Sequence, residues 1–183
     1  MKKTTKKALV IIDMQNDFID GALGSSQAQA IVPSVIKKIK DHQKSGSAIF
    51  FTRDTHHPNY LQTQEGQNLP VPHCIKGTPG WQISDAIASV AHLPVCRIFN
   101  KSGFGSLELA QHLSRESYDE IELIGLVSSI CVISNAMLIK AHAPETKIVV
   151  DAACTAGVTD EDHKASLYVM KMCHIHLLNE ERS

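Results

Sequence analysis

The chain has 183 residues, of which 43% are hydrophobic and 20% charged, and its formal net charge is −1. That length suits one domain over residues 1–183 with a single sizeable core, and the charge excludes a broad attraction to nucleic acid or to an anionic membrane. The basic start "MKKTTKK" precedes only five apolar residues, too few for a signal-peptide core or a membrane span. We therefore expect a solvated N-terminal tail and a cytoplasmic protein.

Short apolar runs alternate with amphipathic segments along the chain. Strands are predicted at Ala8–Asp13, Ala48–Asp54, Val95–Lys101, Glu120–Leu126, Lys147–Ala153 and, as a short last strand, His174–Leu178. Helices are predicted at Ile31–Gly46, Ser84–His92, Ser106–Arg115, Cys131–Ala143 and Asp160–Cys173. This alternation predicts an α/β fold, a sheet of about six parallel strands with helices on both faces. Ligands of such sheets bind beyond the carboxyl ends of the strands.

Residues able to do chemistry follow the first four predicted strands, in the order Asp13, Asp54, Lys101 and Cys131. Taken singly, each is explained as a turn residue, a surface charge or a buried thiol. Taken together, they converge on one sheet edge. A helix N-terminus at Cys131 would favour a thiolate and direct N–H groups at an oxyanion. Asp13 could accept and return a proton, and Lys101 could keep Asp13 ionised. The group suits acyl transfer from an amide to water.

The other cysteines are widely spaced and form no CxxC pair; they are Cys74, Cys96, Cys154 and Cys173. A disulfide framework or a zinc knuckle is therefore not expected. We expect these four thiols to be small buried hydrophobes.

A second polar cluster follows the second predicted strand. Asp54 and His56 are two positions apart, His57 is adjacent, and His73 returns from a long loop at Pro58–Gly80. Structureless loops of that length in compact domains tend to be functional or disordered. One carboxylate and two imidazoles suit zinc, iron or manganese, with water completing the shell. The histidines could equally make loop hydrogen bonds only, and the residues alone leave both interpretations open.

Five segments together resemble the signature blocks of the isochorismatase-like cysteine hydrolases, most closely those of the nicotinamidases (pyrazinamidase-type amidohydrolases). They are "ALVIIDMQNDFIDGAL", "RDTHHPNY", "VPHCIKGTPGW", "FNKSGFGS" and "GLVSSICVISNA". The resemblance implies a Rossmann-like doubly wound sheet and hydrolysis of nicotinamide to nicotinate and ammonia. It implies that Asp13, Lys101 and Cys131 are the catalytic residues, with a thioester formed on Cys131.

The resemblance also implies a metal, a strained turn and substrate contacts. The metal ligands would be Asp54, His56 and His73, with zinc as the first choice and iron or manganese as alternatives. The oxyanion site would lie at Leu126, Val127 and Cys131, with a cis peptide bond joining Leu126 to Val127. The substrate would contact Phe18, Val127 and Phe104. The family often forms homo-oligomers, so we expect a homo-oligomer that binds a small-molecule amide, and neither nucleic acid nor membrane.

Two departures from the family pattern concern the substrate. Many nicotinamidases have a tryptophan three positions before the metal histidine, where this chain has Pro70. Many also have Thr-Asp in place of Ser128–Ser129. Phe18 matches the family's other ring-contacting aromatic, and Phe104 or Trp81 could supply the missing ring face.

Three alternative functions follow from the same resemblance. A related amidohydrolase acting on a carbamoyl or ureido substrate usually lacks the Asp-x-His…His set that is present here. Isochorismatase itself, a vinyl-ether hydrolase, lacks the nucleophilic cysteine. A non-catalytic protein that only binds a metabolite would not need the complete set of Asp13, Lys101 and Cys131.

Overall fold

A six-stranded sheet forms the centre of the protein, whose computed structural model describes residues 5–180. Its strands are β1 (Lys7–Ile12), β2 (Ala48–Asp54), β3 (Arg97–Lys101), β4 (Glu120–Leu126), β5 (Lys147–Ala156) and β6 (His176–Leu178). They lie in the order β3-β2-β1-β4-β5-β6, and all five neighbouring pairs are parallel. The prediction of a six-stranded parallel α/β sheet is confirmed.

Helices cover both faces of this sheet. They are α1 (Asn16–Ile19), α2 (Ser26–Lys44), α3 (Gln64–Asn68), α4 (Asp85–Ala91), α5 (Leu107–Glu116), α6 (Ile133–His142) and α7 (Asp160–Met172). Because successive side chains of a strand point to opposite faces, β1 contributes to two cores. Leu9 and Ile11 pack with α2 and α4, whereas Val10 and Ile12 pack with α5, α6 and α7.

Several element boundaries differ from those predicted. Helix α2 begins at Ser26 rather than Ile31, because the Ser25 hydroxyl accepts a hydrogen bond from the Ala28 N–H at 3.1 Å and caps the helix earlier. The loop at residues 58–80 contains a 3₁₀ turn at Tyr60–Gln62 and the short helix α3. Of the predicted N-terminal tail, residues 1–4 lie outside the described residues, and Lys7 already belongs to β1.

The strand order reverses between β1 and β4, and this switch point is where open α/β sheets bind ligands. From β1 the chain builds β2 and β3 on one side, and β4, β5 and β6 lie on the other. Gly125 of β4 has φ +112°, and a Cβ there would meet the Ile12 carbonyl oxygen. Only glycine permits this approach, which brings the end of β4 beside Asp13. Within residues 5–180, no helix is long and apolar enough to cross a membrane.

Candidate active site

Asp13, Lys101 and Cys131 meet at the carboxyl ends of β1, β3 and β4. The Lys101 Nζ lies 2.7 Å from Asp13 Oδ2 and 3.5 Å from the Cys131 Sγ. It also lies 3.2 Å from Asp54 Oδ1. All four side chains are buried, and Cys131 is 6% exposed. The structure thus brings together the three residues predicted to be catalytic.

Asp13 owes its orientation to a backbone conformation that few residues adopt. It has φ +46°, a left-handed value that aspartate and asparagine tolerate better than most residues. The Thr52 hydroxyl donates to its Oδ1 at 2.6 Å, and its own N–H donates to the Thr52 hydroxyl oxygen at 3.2 Å. These two bonds leave Oδ2 facing Lys101. Thr52 was not among the predicted site residues.

Cys131 lies in a turn that the sequence did not predict. We expected α6 to begin at Cys131, but a π-helical turn at Ser128–Val132 comes first and α6 begins at Ile133. The N–H groups of Ile130 and Val132 both donate to the Val127 carbonyl, at 3.2 and 3.1 Å. The peptide bond between Leu126 and Val127 is cis, as expected from the resemblance. Cys131 therefore lies in the π-helical turn, two residues before α6 begins.

The surroundings of Cys131 do not favour the thiolate that we expected from the sequence. Burial, reinforced by the charge of Asp13, raises the pKa of Cys131 well above its usual range, although Lys101 opposes this shift. Burial also raises the pKa of Asp13 against the opposing effect of Lys101. Burial alone would lower the pKa of Lys101, but Asp13, Cys131 and Asp54 raise it overall. The buried Lys101 ammonium therefore faces the Asp13 carboxyl group and a thiol whose protonated form is favoured by burial.

The predicted metal ligands also come together, with one addition. Ligand atoms of Asp54, His56, His73 and Glu65 all lie within 4.8 Å of one another. The His56 Nε2 is 2.9 Å from Asp54 Oδ2 and 3.6 Å from Glu65 Oε1, and the His73 Nε2 is 3.7 and 3.8 Å from the same two atoms. His57 is exposed and is not part of this group.

This donor set fits a divalent cation. The Val71 carbonyl can only accept a hydrogen bond, so its 2.8 Å contact places a proton on the His73 Nδ1 and leaves Nε2 free as a ligand. The His56 Nε2 is buried and lacks a hydrogen-bond partner despite its closeness to Asp54. Burial would raise the pKa of Asp54, but His56, His73 and Lys101 hold it well below its usual range. Two imidazoles and two carboxylates suit a divalent transition metal.

Glu65 and Gln15 were missed by the sequence analysis. Glu65 lies in α3, inside the predicted loop, and its distance along the chain from Asp54 gives no sign of their proximity. Gln15 is fully buried; its side-chain oxygen accepts from the Asp54 N–H at 2.7 Å, and its amide donates to the Asp54 carbonyl at 2.9 Å. This pair of bonds fixes the backbone that carries the first metal ligand. Gln15 belongs to the first signature block, which was its only signal.

Asp54 connects the group of Asp13, Lys101 and Cys131 to the candidate metal group. Its Oδ1 faces Lys101 at 3.2 Å, and its Oδ2 faces His56 at 2.9 Å. A single buried carboxylate thus lies between the thiol group and the candidate metal group. An ion at the second cluster would share the Asp54 carboxylate with the Lys101 ammonium.

The side chains predicted to contact the substrate differ in their exposure and in their neighbours. The Phe18 ring lies 5.5 Å from the His73 ring, and Val127 is half-buried beside the cysteine turn. Phe104 is 49% exposed, so its ring has a free face. One face of the Trp81 ring is covered, because the Arg53 guanidinium stacks 3.5 Å from the centre of the ring. Pro70 is exposed.

The remaining thiols fit the prediction only in part. Cys74 and Cys154 are buried and Cys96 is half-buried, but Cys173 is exposed. Cys173 follows the end of α7, where the chain turns at the surface before β6. The expectation of burial was therefore wrong for Cys173.

Comparisons with known proteins identify the family and the fold of this chain. A family model described as Isochorismatase domain matches residues 7–181. The nicotinamidase/pyrazinamidase of Mycobacterium tuberculosis (strain ATCC 25618 / H37Rv) is 26% identical over 192 residues, covering 94% of this chain and 98% of the relative. The solved pyrazinamidase/nicotinamidase of Streptococcus mutans UA159 superposes with a TM-score of 0.85 at 27% identity, covering 94% of this chain and 100% of that chain. The pyrazinamidase of Pyrococcus horikoshii in complex with zinc superposes with a TM-score of 0.78 at 25% identity, covering 94% and 98%.

Proposed function

The chain belongs to the isochorismatase family, and within it we propose a metal-assisted cysteine amidohydrolase that converts nicotinamide to nicotinate and ammonia. Relatives and structural neighbours named nicotinamidase or pyrazinamidase support this activity. The observation that carries the proposal is the position of Lys101. Its ammonium contacts Asp13, Cys131 and Asp54 at 2.7, 3.5 and 3.2 Å, which links the proton-transfer group to the candidate metal group.

Cys131 is the proposed nucleophile and Asp13 the proposed acid–base group. Asp13 takes the thiol proton as the sulfur attacks the amide carbonyl carbon, and the carbonyl oxygen becomes an oxyanion. As this intermediate collapses, the carbon–nitrogen bond breaks and Asp13 gives the proton to the departing nitrogen, which leaves as ammonia. A water molecule, deprotonated by Asp13, then attacks the thioester. The carbon–sulfur bond breaks and the sulfur recovers its proton from Asp13. Nicotinic acid is released and ionises to nicotinate.

The burial of the group has a chemical consequence for this sequence of steps. Because the pKa of Cys131 is raised, the thiol stays protonated until a substrate arrives. The proton therefore moves to Asp13 during the attack. The raised pKa of Asp13 suits a group that must both accept and return that proton. We assign oxyanion stabilisation to the turn at Leu126–Val127 and the N–H of Cys131.

Asp54, His56, Glu65 and His73 would hold the metal, for which we propose zinc first and iron or manganese as alternatives. When bound, the ion would supply a Lewis-acidic partner for the ring nitrogen of the substrate. Phe18 would contact the substrate ring from the side of His73. Phe104, with its exposed ring, would cover a second side, and Val127 would border the amide. A cytoplasmic location and homo-oligomeric assembly stay predictions from the sequence.

Ammonia release from a small panel of amides tests the proposal. The panel contains nicotinamide, pyrazinamide, a small aliphatic amide and an N-carbamoyl amino acid. We expect the two ring amides to be hydrolysed fastest. Chelation should reduce their hydrolysis far more than that of the aliphatic amide, because the metal acts by orienting the ring.

Cys131→Ala provides the control for the covalent step. It should fold with an unchanged circular dichroism spectrum and release no ammonia, since no other residue of the group can form the thioester. Hydrolysis by this variant at a wild-type rate would refute the covalent mechanism. Hydrolysis of the carbamoyl compound alone would favour the carbamoyl alternative, and no hydrolysis of any amide would favour a metabolite-binding protein.

A further inference from the structure

The side chain of Asn135 bonds to two segments of the proposed active site at once. Asn135 is fully buried on the first turn of α6. Its Nδ2 donates to the Cys131 carbonyl at 2.7 Å and to the Phe104 carbonyl at 3.2 Å. Its Oδ1 accepts the N–H of Ser106 at 3.0 Å. A primary amide offers two donor hydrogens and an acceptor oxygen, and here both kinds of atom are used.

The two segments that Asn135 joins need each other for the proposed chemistry. One is the loop at Lys101–Ser106, which begins with the ammonium group and contains Phe104. The other is the turn at Ser128–Val132, which carries the thiol. They also touch at the reacting end, where the Lys101 Nζ is 3.5 Å from the Cys131 Sγ.

The loop also packs against α6 next to this bridge. A Cβ on Gly105 would meet the end of the Leu138 side chain, so the loop backbone lies against the side chains of the helix here. The bridge and this packing together hold the loop beside the turn. A shift of about 1 Å in such a position can cost catalysis on the order of 100-fold.

We propose that Asn135 is a positioning residue that holds the Cys131 turn against the Lys101–Ser106 loop and so fixes the thiol relative to the Lys101 ammonium. This role rests on the proposed amide hydrolysis. Asn135 contacts no reacting atom and acts only through the two backbone segments. Asn135 thereby keeps the Cys131 sulfur aligned with the Lys101 ammonium and with the side of Phe104 that faces the substrate.

The test separates positioning from general stability. Asn135→Ala removes all three bonds, and we expect kcat for nicotinamide to fall on the order of 100-fold while KM changes by less than about threefold. Asn135→Thr should restore most of kcat, because a threonine hydroxyl can still donate to the carbonyl four residues earlier, that of Cys131. If Asn135→Ala does not fold, Asn135→Thr is compared directly with the wild type, and its kcat should fall less than about tenfold.

Ile139→Ala is the matched control. Ile139 is buried on the same helix, one turn beyond Asn135, and belongs to the core rather than to the bridge. Ile139→Ala creates a cavity, so we expect it to lose about as much thermal stability as Asn135→Ala. Its kcat should nevertheless stay within about twofold of the wild type. If kcat falls equally in Asn135→Ala and Ile139→Ala, or if Asn135→Thr is as impaired as Asn135→Ala, the positioning role is overturned.

A measurement that needs no substrate distinguishes failure of this inference from failure of the proposed function. Iodoacetamide labelling is followed at each cysteine by mass spectrometry, with the exposed Cys173 as internal reference. Loss of the bridge should release the turn and speed labelling of Cys131 in Asn135→Ala, but not in Ile139→Ala. Unchanged Cys131 labelling overturns the inference even if nicotinamide is hydrolysed. Faster labelling supports it even if the amide panel gives no ammonia.

Discussion

Replacing Lys101 by methionine should both abolish amide hydrolysis and strongly destabilise the fold. The Lys101 side chain is 2% exposed and faces Asp13 Oδ2 at 2.7 Å and Asp54 Oδ1 at 3.2 Å. At an effective dielectric constant of about 20, these two attractions amount to roughly 6 and 5 kcal/mol. Desolvation of the three charges offsets much of this gain, so the expected net loss on removing the lysine is about 3–5 kcal/mol.

The reason for so large a loss is that the buried carboxyl groups of Asp13 and Asp54 would both lose the ammonium group that they contact. This predicts that the loss is partly reversed when one carboxylate is neutralised. Asp13→Asn is the suitable second change, because asparagine tolerates the left-handed φ of +46° and can still accept the Thr52 hydroxyl. In the double variant with Lys101→Met we expect a coupling free energy of about 2–3 kcal/mol, and no restored activity.

Urea unfolding of the wild type, the two single variants and the double variant measures this coupling. Lys147→Met is the matched control, since Lys147 makes a 2.8 Å ion pair with Glu120 at the surface, where such pairs contribute little. The reasoning is refuted if Lys101→Met unfolds within about 1 kcal/mol of the wild type. It is also refuted if the two single changes add within about 0.5 kcal/mol in the double variant.

Three further predictions concern the candidate metal group and the cysteine turn. His56→Ala should strip the metal, measured by elemental analysis of the purified protein, whereas His57→Ala should keep it; the reverse pattern would contradict the ligand assignment. Glu65→Gln should weaken metal affinity about 10–100-fold in a competition titration with a chelating dye, and unchanged affinity would remove Glu65 from the set. Burial lowers the pKa of His163; Lys164 lowers it further and Asp160 opposes the shift. The folded protein therefore favours the neutral His163 ring, which bonds to the Ser128 hydroxyl at 2.9 Å. The unfolded chain then takes up a proton first as the pH falls below about 6.5, so the wild type should lose unfolding free energy there, and His163→Gln should show a flatter pH dependence in urea titrations.

The order of elements and the class of fold follow from local patterns in the chain. The apolar run at Glu120–Leu126 is bounded as predicted, and so is the strand at Ala48–Asp54. Short, mainly apolar runs identify these elements, because strands buried on both faces are largely apolar. Parallel strands alternating with helices then bring their carboxyl ends to one edge. That is why Asp13, Lys101 and Cys131 can be grouped from the sequence.

Boundaries and local conformations that depend on hydrogen bonds between distant segments could not be predicted in this way. The π-helical turn before α6 gives no periodic signal, and the sequence placed the helix start at Cys131 instead. The protonation state expected for the Cys131 thiol also differs from the one that its surroundings favour. A helix N-terminus and a lysine favour a thiolate, but full burial beside Asp13 favours the protonated form.

The residue types able to do the chemistry, and the sheet edge that would hold them, can be inferred from short segments of the chain. The other side chains that join them can be identified only in the folded protein. Glu65 enters the metal group from α3, and Asn135 bridges Cys131 to the loop after β3. Both contacts depend on how the helices pack against the sheet, and that packing has no signature in local composition or spacing.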